Sequence, residues 1–241
     1  MADRVNRRRR GASGGRRVSA IDRAKRPRES VARMERLPTG IPVLDRELDG
    51  GLPAGSVVAL TADPASQSEL FLNTFAGVRE TLYLTTVRSA EAVESGLSES
   101  SVETGDPVVE AVDGEDPIED ARGFLPAVPD DGTLIVDSAE PLEDASPLRY
   151  RSLLSDLGDR IEETDATAVL HALETGGERS RNRVVTEQVA DVVFDLRTVV
   201  TGTAIENRLA VPKFRGGAAL EEPVKLKLTD TVSVDTSRDI A

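Results

Sequence analysis

The chain has no cysteine, no tryptophan and a single histidine, and aromatic residues make up only 3% of its 241 positions. The absence of cysteine excludes disulfides, thiol nucleophiles and thiolate metal sites together. One histidine cannot assemble a zinc site alone. His171, inside the apolar run ATAVLHAL, therefore reads as an ordinary core or strand-end residue. No run of about 18 or more apolar residues occurs, and the charged N-terminus lacks the apolar segment and cleavage site of a secretory signal. The expectation is a cytoplasmic protein with no membrane partner. Its length is enough for one well-filled core.

Lysine is also scarce, with four residues against abundant arginine and a net charge of −13. That charge is unevenly spread. Residues 1–36 hold 13 Lys and Arg against 4 Asp and Glu, net +9, and the rest of the chain is net −22. An acidic body poor in lysine and aromatics is the halophilic type of composition, because carboxylates retain water where salt screens nearly all charge. The first 36 residues lack the apolar content to fold alone and read as a disordered arm. Clustered Arg with Gly and Ser suits nucleic-acid phosphates. Two plainer readings stand beside that one: molar salt weakens such contacts steeply, and Met34, directly before ERLPTG, is a second candidate for the start of translation.

From residue 37 the pattern changes. Apolar, β-rich runs at 56–61, 81–86, 132–138, 166–172 and 191–200 alternate with helical patterns at 66–78, 89–95, 146–163 and 182–189. Short continuous apolar strands separated by helices predict a mostly parallel central sheet covered on both faces. Residues 96–131, rich in Ser, Glu, Asp, Gly and Pro, predict one short strand at DPVVEAV among polar loops. After residue 200, ENRLAVPKFRGG and PVKLKLTDTVSVD predict antiparallel strands closing the sheet edge. The segment DGGLPAG supplies turn chemistry before the first buried strand, with Gly50, Gly51 and Gly55 giving backbone freedom.

The phrase LPTGIPVLDRELDGGLPAGSVVAL resembles the opening of the KaiC-like and RadA-like branch of the RecA superfamily, where it leads into the first core strand and the Walker A phosphate loop. The resemblance extends through TLIVDS, as the Walker B strand, to NRLAVPKFRGG, as a late hairpin, and so covers about residues 37–235. It implies a RecA-like P-loop NTPase core with an antiparallel C-terminal extension.

The phosphate loop departs from that family. In a loop of the form G-x-x-x-x-G-K-[ST], backbone N–H groups wrap the phosphates, the lysine reaches the outer ones and the hydroxyl holds magnesium. Alignment on the strand puts Ala62 and Gln67 at the glycines, Ser68 at the lysine and Glu69 at the hydroxyl residue. Ser66 followed by Glu69 has the spacing of a capping box, which would place the protein's own carboxylate at the positive end of the helix. Asp63 adds a second negative charge, and two carboxylates within several ångströms repel a triphosphate by a few kcal/mol at an effective dielectric of about 20. The family's catalytic acidic pair is replaced by Val87 and Arg88. Asp137 matches the Walker B aspartate; without the loop it is expected to cap the next turn or pair with Ser68. Lys213 and Arg215 match basic residues that, in the family, reach across a subunit interface to a neighbour's phosphate, and they also fit a solvated edge strand.

These departures predict no catalytic residues and no cofactor, with ATP and magnesium entering only if the altered loop still binds them. Two functions follow. One is a pseudo-ATPase acting as a regulatory or assembly subunit, with a protein partner or RecA-like paralogue in a homo- or hetero-oligomer. The other is an ATP-binding, DNA-associated ATPase in repair, recombination or signalling, using the Arg-rich arm. A small ligand at the C-terminal ends of the strands is a third option.

Overall fold

The computed structural model describes residues 35–174, 179–202 and 204–235. Residues 1–34 of the basic arm, Met34 included, lie outside the described residues, whereas Arg36, expected at the end of a disordered arm, pairs with Pro53 and lies over the Phe214 ring. Two short strands, β1 (Arg36–Leu37) and β2 (Leu52–Pro53), pair antiparallel around helix α1 (Pro42–Glu47). Gly51, between α1 and β2, has φ of 119°, and a Cβ there would collide with the carbonyl of Leu37, so the turn into β2 requires glycine. Beyond β2 the chain enters β3 (Ser56–Ala62), all seven residues of which are buried.

The chain then alternates α2 (Glu69–Ala76), β4 (Thr81–Thr85), α3 (Ala90–Ser98), β5 (Val108–Ala111), α4 (Pro117–Phe124), β6 (Thr133–Asp137), α5 (Glu140–Glu143), α6 (Pro147–Glu163), β7 (Thr167–Leu173) and α7 (Arg181–Val189). Strands β8 (Val192–Thr201), β9 (Ala204–Phe214), β10 (Val224–Leu228) and β11 (Val232–Val234) complete one nine-stranded sheet of order β11-β10-β9-β8-β3-β7-β6-β4-β5. From β8 to β5 the pairs are parallel, and from β8 to β11 they are antiparallel.

Two apolar clusters lie on opposite faces of the sheet. On one, Phe71, Leu72 and Phe75 of α2 and Val93 of α3 pack on Val58, Leu60, Tyr83 and Ile135. On the other, Ile118 of α4, Leu153 and Leu157 of α6 and Val185 of α7 pack on Val57, Leu134 and Leu170. Alternating side chains of one strand thus serve both layers, which is why the core strands read as unbroken apolar runs. Among the described residues no helix is long and apolar enough to cross a membrane.

The five expected core strands appear within one residue of their predicted ends, and the short strand in DPVVEAV is β5. Residues 96–131 differ from expectation by also containing α4. Asp116 caps it by accepting from the Glu119 N–H at 3.4 Å, and Pro117 opens it. Only Ile118 and Ala121 on it are buried, too few to produce a helical period in the sequence.

Candidate functional site

The site lies where the C-terminal ends of β4, β6 and β7 meet the start of α2. Parallel register sets Asp137 of β6 beside His171 of β7, and Tyr83 beside Ile135, two residues before Asp137 on the same face. All three side chains therefore point to the α2 side of the sheet, where Ser68 begins the helix.

They form one chain of hydrogen bonds. Ser68 Oγ is 3.0 Å from His171 Nε2, and His171 Nδ1 is 2.7 Å from Asp137 Oδ1. The other carboxylate oxygen accepts from the Tyr83 hydroxyl at 2.7 Å and from the Arg88 guanidinium at 2.8 Å. Arg88 turns its second nitrogen to Glu69 Oε1 at 3.4 Å. Ser68 and His171 are each only 2% exposed, and Asp137 7%. The Asp137–Ser138 peptide is cis, and Ser138 is tied to Thr86 of the segment after β4.

The electrostatics follow from the partners. Burial alone would raise the Asp137 carboxyl, but the hydrogen bond and charge of His171, with Tyr83 and Arg88, hold it down at about 2. Burial and the adjacent carboxylate push the Tyr83 phenol far above its ordinary range, so it remains a donor. Burial works against the charge of Arg88, yet its bonds to Asp137 outweigh that and raise it. Against an ionised carboxylate the short Nδ1 contact calls for a proton on Nδ1. In the neutral imidazole Nε2 then accepts from the Ser68 hydroxyl, whereas in the charged ring, the form that lowers the Asp137 carboxyl, Nε2 donates to Ser68 Oγ.

The loop itself corrects the expected capping box. Helix α2 starts at Glu69, with Ser68 preceding it in helical conformation and making no side-chain cap bond. The Asp63 side chain accepts from the Ala65 N–H at 2.8 Å, and its carbonyl accepts from the Ser66 N–H at 2.9 Å. This turn runs through Ser66, so Ser66 cannot serve as the N-cap, and its buried Oγ has no partner. Glu69 does not reach back either: the opposite charge of Arg88 attracts it more strongly than a neutral N–H would. Asp137 neither caps the next turn nor touches Ser68 directly, because His171 stands between them. Ala62 ends β3, buried, and Gln67 is exposed beside the turn.

Lys213 and Arg215 sit far from this cluster, at the end of α7. Lys213 Nζ donates to the carbonyls of Glu187 and Gln188, both at 2.8 Å, and Arg215 to the Gln188 and Val189 carbonyls and to Asp191. Both cations complement the negative end of that helix. Burial, then the neighbouring Arg215 charge, hold Lys213 below the usual lysine range.

Two cavities border the loop. One of about 190 Å³ is lined by Ser68, Arg88, Asp137 and His171 together with the exposed Pro64 and Val87. A second, of about 750 Å³, lies between residues 63–67 and the antiparallel strands, near Asn207 and Lys227. The residues present do not fit a magnesium nucleotide. Both oxygens of Asp137 are engaged by protein donors, and Glu69, paired with Arg88, stands at the hydroxyl position.

Three contributors to this cluster, Tyr83, Arg88 and His171, were not marked by sequence as acting together. The available signal was register: the histidine and the aspartate end adjacent parallel strands. Pairing of strands distant in sequence cannot be read from the runs alone.

Comparison with known proteins agrees with this architecture. The crystal structure of the KaiC-like protein PH0186 from the hyperthermophilic archaeon Pyrococcus horikoshii OT3 superposes with a TM-score of 0.68 at 17% identity, covering 84% of this chain and 99% of that one. The likeness establishes a KaiC/RecA-like fold. No curated protein matches the sequence. The profile of a family of unknown function, DUF7125, matches residues 36–241, and the chain belongs to that family.

Proposed function

We propose that the protein is a pseudo-ATPase: a RecA-fold subunit that has replaced nucleotide by internal side-chain contacts and acts in regulation or assembly through protein partners. The observation that carries this reading is the Arg88 guanidinium, which pairs with Asp137 and Glu69, the residues aligned with the two magnesium-holding positions of the family. A tethered cation at the Walker B carboxylate leaves no demand for a metal there. The side chains at the altered loop, Asp63, Ser66, Gln67, Ser68 and Glu69, bring two carboxylates and no cation to that place. A partner contact is offered by the end of the β8–β9 hairpin, where Val199, Val200 and Ile205 are exposed. That partner is another copy of this chain or a RecA-like paralogue, and the protein is cytoplasmic.

Calorimetric titration in multimolar KCl tests the reading directly. ATP and ADP should bind no tighter than millimolar, and a micromolar affinity would overturn it in favour of a DNA-associated ATPase. Restoring the loop with Ala62→Gly, Gln67→Gly, Ser68→Lys and Glu69→Thr, together with Arg88→Ala, should create measurable nucleotide binding. Purification at native salt should bring down a protein partner; nucleic acid that persists after nuclease treatment would count against a protein-directed role.

A further inference from the structure

The contacts that close the nucleotide site have a second chemical meaning. A hydroxyl 3.0 Å from one imidazole nitrogen, whose other nitrogen is 2.7 Å from a carboxylate, is the arrangement of nucleophile, base and orienting group used for acyl transfer. We propose that Ser68, His171 and Asp137 form a serine-nucleophile site that hydrolyses small acyl esters, with Ser68 attacking, His171 carrying the proton and Asp137 holding the imidazole.

Four observations carry it beyond the contact distances. The group lines a cavity of about 190 Å³ that extends to the exposed Val87, so the buried hydroxyl borders a space a short acyl chain can enter. Among the described residues, the backbone N–H groups of Ser68 and Glu69 have no hydrogen-bond acceptor and stand at the N-terminal end of α2, free to donate to a developing oxyanion, while the Glu69 carboxylate beside them is turned to Arg88. Tyr83 and Arg88 both donate to the far oxygen of Asp137 and leave its near oxygen to His171, which fixes the imidazole. Each member is held by a different element: Ser68 directly precedes α2, Asp137 ends β6, and His171 lies near the C-terminal end of β7 in the interior of the sheet.

The steps balance without any added reactant but water. Ser68 Oγ bonds to the ester carbonyl carbon while its proton passes to His171 Nε2. Collapse of the tetrahedral species expels the alcohol, which leaves with that proton. Water then attacks the acyl-serine, giving its proton to His171 and releasing the carboxylic acid, and Ser68 regains its hydrogen. The cavity size limits substrates to short acyl groups; peptides and long-chain lipids are too large for it.

The test uses the full chain at high KCl with an ethyl fluorophosphonate, followed by mass spectrometry of the Ser68 peptide, and in parallel p-nitrophenyl acetate as substrate. Stoichiometric labelling of Ser68, a burst of nitrophenol and loss of both in Ser68→Ala are the expected results. His171→Ala should slow labelling by at least ~10²-fold. Asp137→Asn should move the pH midpoint of labelling, which a purely structural loss would leave in place. Circular dichroism and melting curves confirm that each variant is folded, and Ser68→Thr gives a second folded probe of the same hydroxyl. An unlabelled Ser68 in folded wild-type protein, or labelling indifferent to His171→Ala, would overturn the proposal.

Discussion

At the scale of single residues, Asp137 concentrates the electrostatics of the site. Its folded pKa of about 2 lies below the ordinary 3.8, so its stabilising contribution is complete above about pH 4 and is lost as pH falls through about 2. That difference amounts to about 2 kcal/mol. Urea titrations of wild type should therefore weaken across that window, and Asp137→Asn should show a flatter acid limb; an identical limb would mean that the carboxylate is not what the network depends on. Tyr83→Phe removes one donor and leaves His171 and Arg88 in place. A loss of about 1.5–3 kcal/mol is expected by chemical denaturation.

Among the secondary-structure elements, the ends of α5, β7 and α7 are joined by a buried ion pair. Arg183 Nε lies 2.9 and 3.0 Å from the two Glu143 oxygens, and its other nitrogens meet Glu140 and the Leu173 carbonyl. The Thr186 hydroxyl donates to Glu143 Oε1 and the Leu173 N–H donates to Glu140 Oε1. Arg183→Met strands a buried carboxylate and should cost about 3–5 kcal/mol in a urea melt, whereas Arg183→Met with Glu143→Leu should recover most of that loss. The strands were legible because burial on both faces writes an apolar run whatever the partner. Helix α4 was not, since two buried residues make no period. The changed phosphate loop was also visible residue by residue, but the role given to Glu69 was wrong: a local spacing predicted a cap, and a guanidinium from the segment after β4 competed for the same carboxylate. His171 looks ordinary in the sequence because its partners, Ser68 and Asp137, are distant along the chain and meet it only in the folded protein.

At the scale of the whole molecule, the acidic body repels itself at low salt. Its melting temperature should rise as KCl goes from low to molar concentration, and a flat response would remove the halophilic reading of the composition. The closing of the site has a dynamic consequence as well. Ser68, Tyr83, Arg88, Asp137 and His171 come from separate elements, yet each is bonded to at least one other member, so none can swing away without leaving a buried or half-buried polar neighbour short of a partner. Amide deuterium uptake at the tips of β4, β6 and β7 and the first turn of α2 should therefore proceed at one shared rate, as a single opening unit, instead of fraying strand by strand.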